Sequence, residues 1–278
     1  MTWRVRQGSA KAGGDRGRGR VWKAVAVGGV ALLVAWGLGI VPGMRPQAQG
    51  TAAGAAPTAE EEKAAGAFAT VVLADTEAVW GGIFESQVGQ SYQPPGLVLF
   101  SESTASPCSD AMGTILTGPF YCPLSRHVYL DTAFLAEVRA SPGKGADSAA
   151  TCVIAHEVSH HVQNELGILG ETRKAQDRLS GTEREALSIR VELQADCFSG
   201  IWARHSATPT GAVEPSDMAA ALVAAKEAGE HMLARCADRV QPPHAFSRGS
   251  IEQRQRWFAT GFEAGLLDAC DTFTAGQI

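Results

Sequence analysis

The apolar residues of this chain form one unbroken run and several periodic ones. The unbroken run extends from Ala24 to Met44 and contains no charged residue. At about 1.5 Å of rise per residue, a helix of that length crosses a hydrocarbon core of roughly 30 Å. Seven basic residues precede the run, and by the positive-inside rule they favour a cytoplasmic N-terminus. We therefore predict a basic cytoplasmic tail over 1–23, a transmembrane helix over 24–44 and an extracytoplasmic chain beyond it.

A cleaved signal peptide is the alternative interpretation of this N-terminal region. Its basic start and the small residues from Thr51 to Ala56 permit cleavage, but the apolar run is longer than a usual signal core. Both interpretations export the rest of the chain. Residues 45–58 are small, polar or proline-containing and predict a flexible linker, so we expect one folded domain over 59–278.

Periodic apolar positions predict a mainly α domain with a small β region, the α+β class. Helical spacing extends from Ala59 to about Glu85, and Pro94 and Pro95 are expected to close this segment. Two short runs of β-forming residues, Leu97–Phe100 and His127–Leu130, predict a small sheet.

Beyond Gly145 the pattern predicts helices, and each start has a capping residue. The starts are Asp147 or Ser148 for a helix to about Leu166, Thr182 with Glu185 for a helix through Trp202, Ser216, and Ser250 with Gln253 for a helix through Phe262.

Composition and charge narrow the class of protein. With 45% hydrophobic and 19% charged residues the chain is an ordinary globular protein rather than a disordered one. The formal net charge is −5, and because residues 1–23 carry seven basic groups against one acidic group, the remainder stands at −11. An acidic domain lacks the clustered Lys and Arg that neutralise phosphates, so we expect no nucleic-acid partner.

All six cysteines follow the predicted membrane segment, where an oxidising compartment allows disulfides. They are Cys108, Cys122, Cys152, Cys197, Cys236 and Cys270. Six cysteines permit 15 pairings, and some can instead be buried thiols. Cys108 and Cys122 bracket a short loop and are the pair that spacing favours. The absence of a CxxC motif argues against a thiolate zinc site.

The motif with the clearest chemistry is His156-Glu157-Val158-Ser159-His160, an HExxH sequence. At 100° per residue the two histidines lie about 40° apart on one helix face, so both imidazoles can reach one metal. Glu157 lies on the same side, close enough to act as a base towards a water at that metal.

A catalytic zinc ion needs a third protein ligand and an open position. Glu192 and Asp196, four residues apart on a mostly apolar helix, are the best source of that ligand. We predict Glu192 as the third ligand and Asp196 as a partner that accepts the free ring N–H of His156 or His160. A solvated acidic stripe is the alternative.

The remaining histidines are expected to have ordinary roles. His161 lies about 140° from His156 around the helix, which favours packing or a supporting hydrogen bond over metal ligation. Surface or satisfied positions are expected for His127, His205, His231 and His244.

Four segments together resemble the putative neutral zinc metallopeptidase family of bacteria. They are HEVSHHVQN (156–164), ELQADCFSGIWA (192–203), GPFYCP (118–123) with VYLD (128–131), and QRQRWFATGF (253–262) with CDTF (270–273). The resemblance implies an N-terminal membrane helix and a zincin-like helical core. It also implies His156 and His160 as ligands, Glu157 as the catalytic residue and Glu192 as the third ligand.

The chain departs from the family pattern at three places. Ser159 replaces a usual glycine and is expected to narrow the cleft if the helix packs tightly on the sheet there. Arg248 stands where the family has a histidine, so Arg248, or His244 nearby, would have to stabilise the oxyanion. Two cysteines are additional to the family set, Cys152 and Cys236. Their pairing with each other would leave Cys197 for Cys270.

These observations predict a zinc-dependent endopeptidase that holds one Zn²⁺ per chain. A metal-activated water would attack the bond of a peptide or protein substrate, with Glu157 as general base. The alternative is a catalytically inactive, membrane-anchored scaffold or binding protein that contains zinc. A non-peptidase metal hydrolase and another divalent metal are further options. The sequence does not determine the oligomeric state.

Overall fold

The fold is described from a computed structural model over residues 56–109, 117–141, 146–206 and 249–276. All of these residues belong to one unit of the chain. The predicted cytoplasmic tail and transmembrane helix, nearly all of the linker, and the helix expected from Ser216 lie outside the described residues.

Helix α1 spans Ala59–Ile83 and continues as a π-helical turn over Phe84–Val88. Its start follows from a capping box, in which Thr58 and Glu61 each accept the other's backbone N–H. Its end lies at Gly89, whose φ of 73° is the left-handed conformation that favours glycine. The expectation that Pro94 and Pro95 close the segment is therefore wrong.

The segment Ala59–Val88 is the one helix in the described part of the chain that is long and apolar enough to cross a membrane. It is a different segment from the predicted span over 24–44. Ala65, Ala69, Val72 and Trp80 on α1 are completely buried in the core. We therefore interpret α1 as a core helix of the domain.

Three strands form the sheet in the order β1-β3-β2. Strand β1 (Gly96–Phe100) runs parallel to the central β3 (His127–Asp131), and β2 (Phe120–Cys122) runs antiparallel to it. The pattern predicted β1 and β3 but not β2, because three residues are too few to show a period. The predicted disulfide Cys108–Cys122 is confirmed and ties the end of β2 to the preceding loop.

Asp131 ends β3 and caps helix α2, which spans Thr132–Ala140. Its carboxylate accepts the backbone N–H groups of Ala133 and Phe134 in α2, and those of Glu102 and Gly118 in two loops. One buried side chain therefore joins the sheet, a helix and two loops.

Helices α3 (Ala146–Glu165), α4 (Ile168–Gln176) and α5 (Gly181–His205) follow. The apolar periodicity predicted no helix between Gly167 and Thr182, but α4 lies in this stretch. Ser180 is the N-cap of α5 without a side-chain hydrogen bond, so the predicted capping box at Thr182 and Glu185 is wrong.

Helix α6 spans Ile251–Ala264 and begins with the predicted box of Ser250 and Gln253, which is confirmed. Its backbone touches that of α5, because a Cβ on Gly261 would lie 1.8 Å from the carbonyl oxygen of Cys197. A 3₁₀ turn over Leu267–Cys270 follows, and a disulfide joins Cys270 to Cys197.

Six α-helices, a π-helical turn, a 3₁₀ turn and three strands thus make up the described domain, which confirms the α+β prediction. The largest fully buried side chains come from strand β3, the 3₁₀ turn and all six α-helices. They include Trp80, Leu130, Leu135, Ile154, Phe198, Trp202 and Phe258. This shared core holds α3 against α5, and those two helices carry the HExxH motif and the paired carboxylates.

Candidate metal centre

The structure brings His156, His160 and Glu192 to one place. His156 Nε2 lies 3.2 Å from one carboxylate oxygen of Glu192, and His160 Nε2 lies 3.7 Å from the other. One ligand atom from each of the three residues lies within 4.8 Å of the other two. The two imidazole rings meet edge to face, with centroids 4.7 Å apart. Two nitrogens and one carboxylate oxygen therefore converge on a shared space.

This set of donors fits a zinc ion. The side chains are 4%, 14% and 12% exposed for His156, His160 and Glu192, so the space is sheltered but not sealed. Two histidines and a glutamate are a donor set of catalytic zinc sites, which leave one coordination position open. Both histidines keep Nε2 towards the shared space because their Nδ1 atoms have other partners.

Asp196 is the partner of His156. Its Oδ1 lies 2.9 Å from His156 Nδ1, and because a carboxylate can only accept, the ring nitrogen is the donor. The sequence left open which histidine Asp196 would contact, and the structure places it on His156. Asp196 is completely buried.

Gln163 is the partner of His160, at 2.9 Å from Nδ1 to Oε1. Its amide orientation is determined by its neighbours, because Nε2 donates to the carbonyl oxygen of Val191 at 2.8 Å and to Gln194 Oε1 at 3.0 Å. Gln194 in turn donates to the carbonyl oxygen of Cys270. Sequence reasoning missed Gln163, although it follows His160 by one helical turn.

Arg254 on α6 is a second residue that sequence reasoning missed. Its Nε donates to Asp196 Oδ2 at 2.7 Å, and its Nη2 donates to Asp196 Oδ1 at 2.6 Å. The arginine side chain is only 12% exposed. The segment QRQRWF (253–258) contains two basic residues, Arg254 and Arg256, and its pattern does not show which of them reaches a buried carboxylate.

The charges around the centre shift the pKa values of the metal-free residues. Burial lowers the pKa of His156, but the Asp196 carboxylate outweighs burial and raises it to about 9. Burial also raises the pKa of Asp196, and the charges of Arg254 and His156 outweigh that effect and lower it. For His160, burial dominates and lowers the pKa. The carboxylates of Glu157, Glu192 and Asp196 outnumber the single guanidinium of Arg254, so the local charge favours binding of a cation between the histidines.

Glu157 is buried within α3, next to His156 and one turn before His160. It lies close enough to His160 and Arg254 for its charge to influence their pKa values. A carboxylate in a sheltered position next to the ligands can accept a proton from a water bound there.

His161 has a packing role. Its Nε2 donates to the carbonyl oxygen of Gln93 at 2.6 Å, which leaves Nδ1 to accept from the Tyr121 hydroxyl at 3.0 Å. Burial lowers the pKa of His161 to about 4, so the ring is neutral.

The expected narrowing of the cleft by Ser159 assumed that α3 packs tightly on the sheet at this residue. The structure instead places the Ser159 hydroxyl against helix α5. This hydroxyl donates to the carbonyl oxygen of Ala155 and lies 3.1 Å from the Ser199 hydroxyl on α5. The added side chain therefore lies between two helices.

The other predicted residues are dispersed or not described. His127 and His205 contact the backbone oxygens of Ser125 and Gly265 and are satisfied. Arg248 and three other residues, His231, His244 and Cys236, lie outside the described residues, so the proposed oxyanion role and the pairing of Cys236 with the buried Cys152 stay predictions. The Cys197–Cys270 pair, implied by the resemblance, is confirmed.

Comparison with known proteins gives the family. The model of the family described as "putative neutral zinc metallopeptidase" matches residues 2–273. The chain is 41% identical over 212 residues to the uncharacterized protein YpfJ of Escherichia coli K12, covering 76% of this chain and 72% of that protein. It is 34% identical over 212 residues to the uncharacterized protein Rv2575 of Mycobacterium tuberculosis H37Rv, covering 73% and 68%. No solved structure gives a significant match. The chain therefore belongs to the putative neutral zinc metallopeptidase family.

Proposed function

We propose that this protein is a zinc-dependent endopeptidase that acts on peptide or protein substrates outside the cytoplasm. The observation that carries the proposal is the convergence of His156 Nε2, His160 Nε2 and a Glu192 oxygen beside the buried Glu157. A purely structural zinc site would not need the Glu157 carboxylate beside its three ligands. One Zn²⁺ per chain would be held by His156, His160 and Glu192.

Each residue has a distinct part in the proposed reaction. Zinc, when bound, polarises the scissile carbonyl and makes a nearby water more acidic. Glu157 accepts a proton from the attacking water and delivers it to the leaving amine. Asp196 and Gln163 hold the two imidazoles by their Nδ1–H groups and keep each Nε2 available.

The test compares the full chain with three variants. Glu157→Gln is expected to retain about one zinc per chain by elemental analysis, because this carboxylate is not a ligand. It is expected to lower turnover of an unfolded protein substrate by about 10²- to 10⁴-fold, because the base is lost. Glu192→Ala is expected to lower the zinc content itself.

The matched control is Glu171→Gln, which neutralises an exposed carboxylate on α4. It should leave both zinc content and turnover unchanged. Full activity in Glu157→Gln would contradict the assigned base. Stoichiometric zinc without hydrolysis of any protein or peptide would instead support the inactive scaffold. Elemental analysis also decides between zinc and another divalent metal.

The proposed location rests on two further observations. The uncharged run over 24–44 follows a basic segment, and the described domain contains the disulfides Cys108–Cys122 and Cys197–Cys270, which are typical of oxidising compartments. In a bacterial host we expect the full chain in the membrane fraction, with its domain digested by protease added to spheroplasts. Protection from that protease would place the domain in the cytoplasm.

A further inference from the structure

We propose that Arg254 is a positioning residue of the metal centre. It would hold the Asp196 carboxylate from helix α6 and so keep the His156 imidazole oriented with Nε2 towards the metal. The inference rests on the proposed function in one respect, because the ion held there is taken to be zinc.

The hydrogen bonds of Asp196 support this role. Arg254 donates to both oxygens, through Nε to Oδ2 at 2.7 Å and through Nη2 to Oδ1 at 2.6 Å. Oδ1 also accepts from His156 Nδ1 at 2.9 Å. A carboxylate held only by the imidazole could rotate about its last bond, whereas a two-point contact with a planar guanidinium removes that freedom. The ring orientation of His156 therefore depends on Arg254.

The direction of approach separates Arg254 from a catalytic residue. Arg254 Nη2 lies 3.5 Å from His156 Nδ1, whereas Glu192 contacts the other nitrogen of that ring, Nε2. The guanidinium thus contacts the Nδ1 side of the imidazole, and its hydrogen bonds go to Asp196. Its role differs from the oxyanion role expected for Arg248.

Charge supplies a second argument. Asp196 is completely buried, and a buried carboxylate is stable only with a cation and with hydrogen bonds for its oxygens. Arg254 provides that cation, and its side chain is itself nearly buried. Without it, the carboxylate would face an imidazole alone, and its position beside His156 would no longer be favoured.

The packing of α6 explains how Arg254 reaches this place. Gly200 and Gly261 let the backbones of α5 and α6 touch, since a Cβ at either position would lie within 2.0 Å of a carbonyl oxygen of the other helix. Asp196 precedes Cys197, whose carbonyl forms part of that contact. The close contact therefore brings one turn of α6 beside the Asp196 carboxylate.

The test measures zinc affinity and ligand geometry in the full chain. Zinc affinity is read from competition with a chelating indicator, and geometry from the visible spectrum of the Co²⁺-substituted protein. Arg254→Met is expected to raise the zinc Kd by about 10- to 100-fold and to change the cobalt spectrum, as loss of an outer partner does at other metal sites. Arg254→Lys restores the charge with a single point of contact, so its Kd should lie between those of wild type and Arg254→Met.

Arg190→Met is the matched control. Arg190 donates to the carbonyl oxygens of Thr272 and Ala275, so it also ties α5 to the C-terminal segment, but it makes no described contact with Asp196 or His156. A merely structural effect would change the melting temperature of either variant without changing the cobalt spectrum. We expect Arg190→Met to leave both the zinc Kd and the spectrum unchanged.

A double-mutant cycle shows whether Arg254 acts through Asp196. The effects of Arg254→Met and Asp196→Asn on the zinc Kd should be less than multiplicative when the changes are combined. A folded Arg254→Met with wild-type Kd and spectrum would overturn the inference. If that variant does not fold, wild-type values in Arg254→Lys would overturn it.

The outcomes separate this inference from the proposed function. Zinc binding that depends on Arg254, in a protein that cleaves no peptide, would support the inference and contradict the peptidase. Peptidase activity in a protein whose zinc affinity does not change on substitution of Arg254 would support the peptidase and contradict the inference. A wild-type chain that binds no zinc would overturn both.

Discussion

Single side chains decide whether the two histidines can act as ligands, because each imidazole is held at Nδ1 by a different partner. The carboxylate of Asp196 was visible in the sequence, since a charge on a mostly apolar helix needs a reason to be there. The role of the Gln163 amide was not visible in the sequence, because glutamine is also common on exposed helix faces. Only its contact with His160 shows what it does.

Gln163→Met is expected to raise the zinc Kd by about 10- to 100-fold, because His160 Nδ1 loses its acceptor. The matched control is Gln176→Met on α4, whose amide donates to the Ser188 hydroxyl away from the centre. Competition with a chelating indicator measures both. Equal values for the two variants would show that Gln163 does not support the ligand.

Asp131→Ala is expected to lower the free energy of unfolding by about 3 kcal/mol, because it removes a helix cap and leaves further backbone N–H groups without an acceptor. Ser250→Ala, which removes the exposed cap of α6, should cost about 1 kcal/mol. Urea unfolding compares them. If Asp131→Ala costs no more than Ser250→Ala, the two loop contacts of Asp131 contribute nothing.

At the scale of elements, the central arrangement is the contact of α5 with α6. Periodicity predicted both helices, and the box at Ser250 begins α6 as expected, although the predicted cap of α5 is wrong. Neither feature says which helices touch. The glycines at 200 and 261 allow an approach that any side chain would prevent, and that approach places Arg254 on Asp196.

Gly261→Ala is expected to destabilise the domain and to weaken zinc binding together, because its Cβ would lie 1.8 Å from the Cys197 carbonyl oxygen and force α6 outward. Gly81→Ala on α1 is the matched control. A Cβ there meets nothing within 4 Å, so the change should stabilise the helix by about 0.5–1 kcal/mol. Thermal melting and zinc affinity measure both effects. A Gly261→Ala protein with wild-type zinc affinity would show that the spacing of α5 and α6 does not matter to the centre.

At the scale of the whole molecule, covalent links hold distant segments to the core. The Cys197–Cys270 disulfide joins residues 73 apart and anchors the C-terminal segment whose carbonyl at Cys270 accepts from Gln194. The Cys108–Cys122 disulfide spans only 14 residues. A longer closed loop restricts the unfolded chain more.

Replacing both members of the Cys197–Cys270 pair by Ala is expected to cost about 4 kcal/mol of unfolding free energy, against about 3 kcal/mol for the Cys108–Cys122 pair, from loop length alone. Denaturant unfolding under non-reducing conditions measures both. A larger loss for the Cys108–Cys122 variant would show that native contacts, not chain entropy, dominate.

The sequence by itself determined the α+β class and the family and indicated three candidate metal ligands, because helical period, the spacing of HExxH and a carboxylate on an apolar helix are local properties. It also indicated Cys108–Cys122, a short-range pair. Tertiary structure alone decided that Asp196 contacts His156, that Gln163 holds His160, and that Arg254 reaches the centre. Strand β2 and helix α4 belong with these, since packing stabilises elements too short to show a pattern. Contacts between distant segments depend on how closely their backbones approach each other in the folded protein, and a local sequence pattern does not determine that distance.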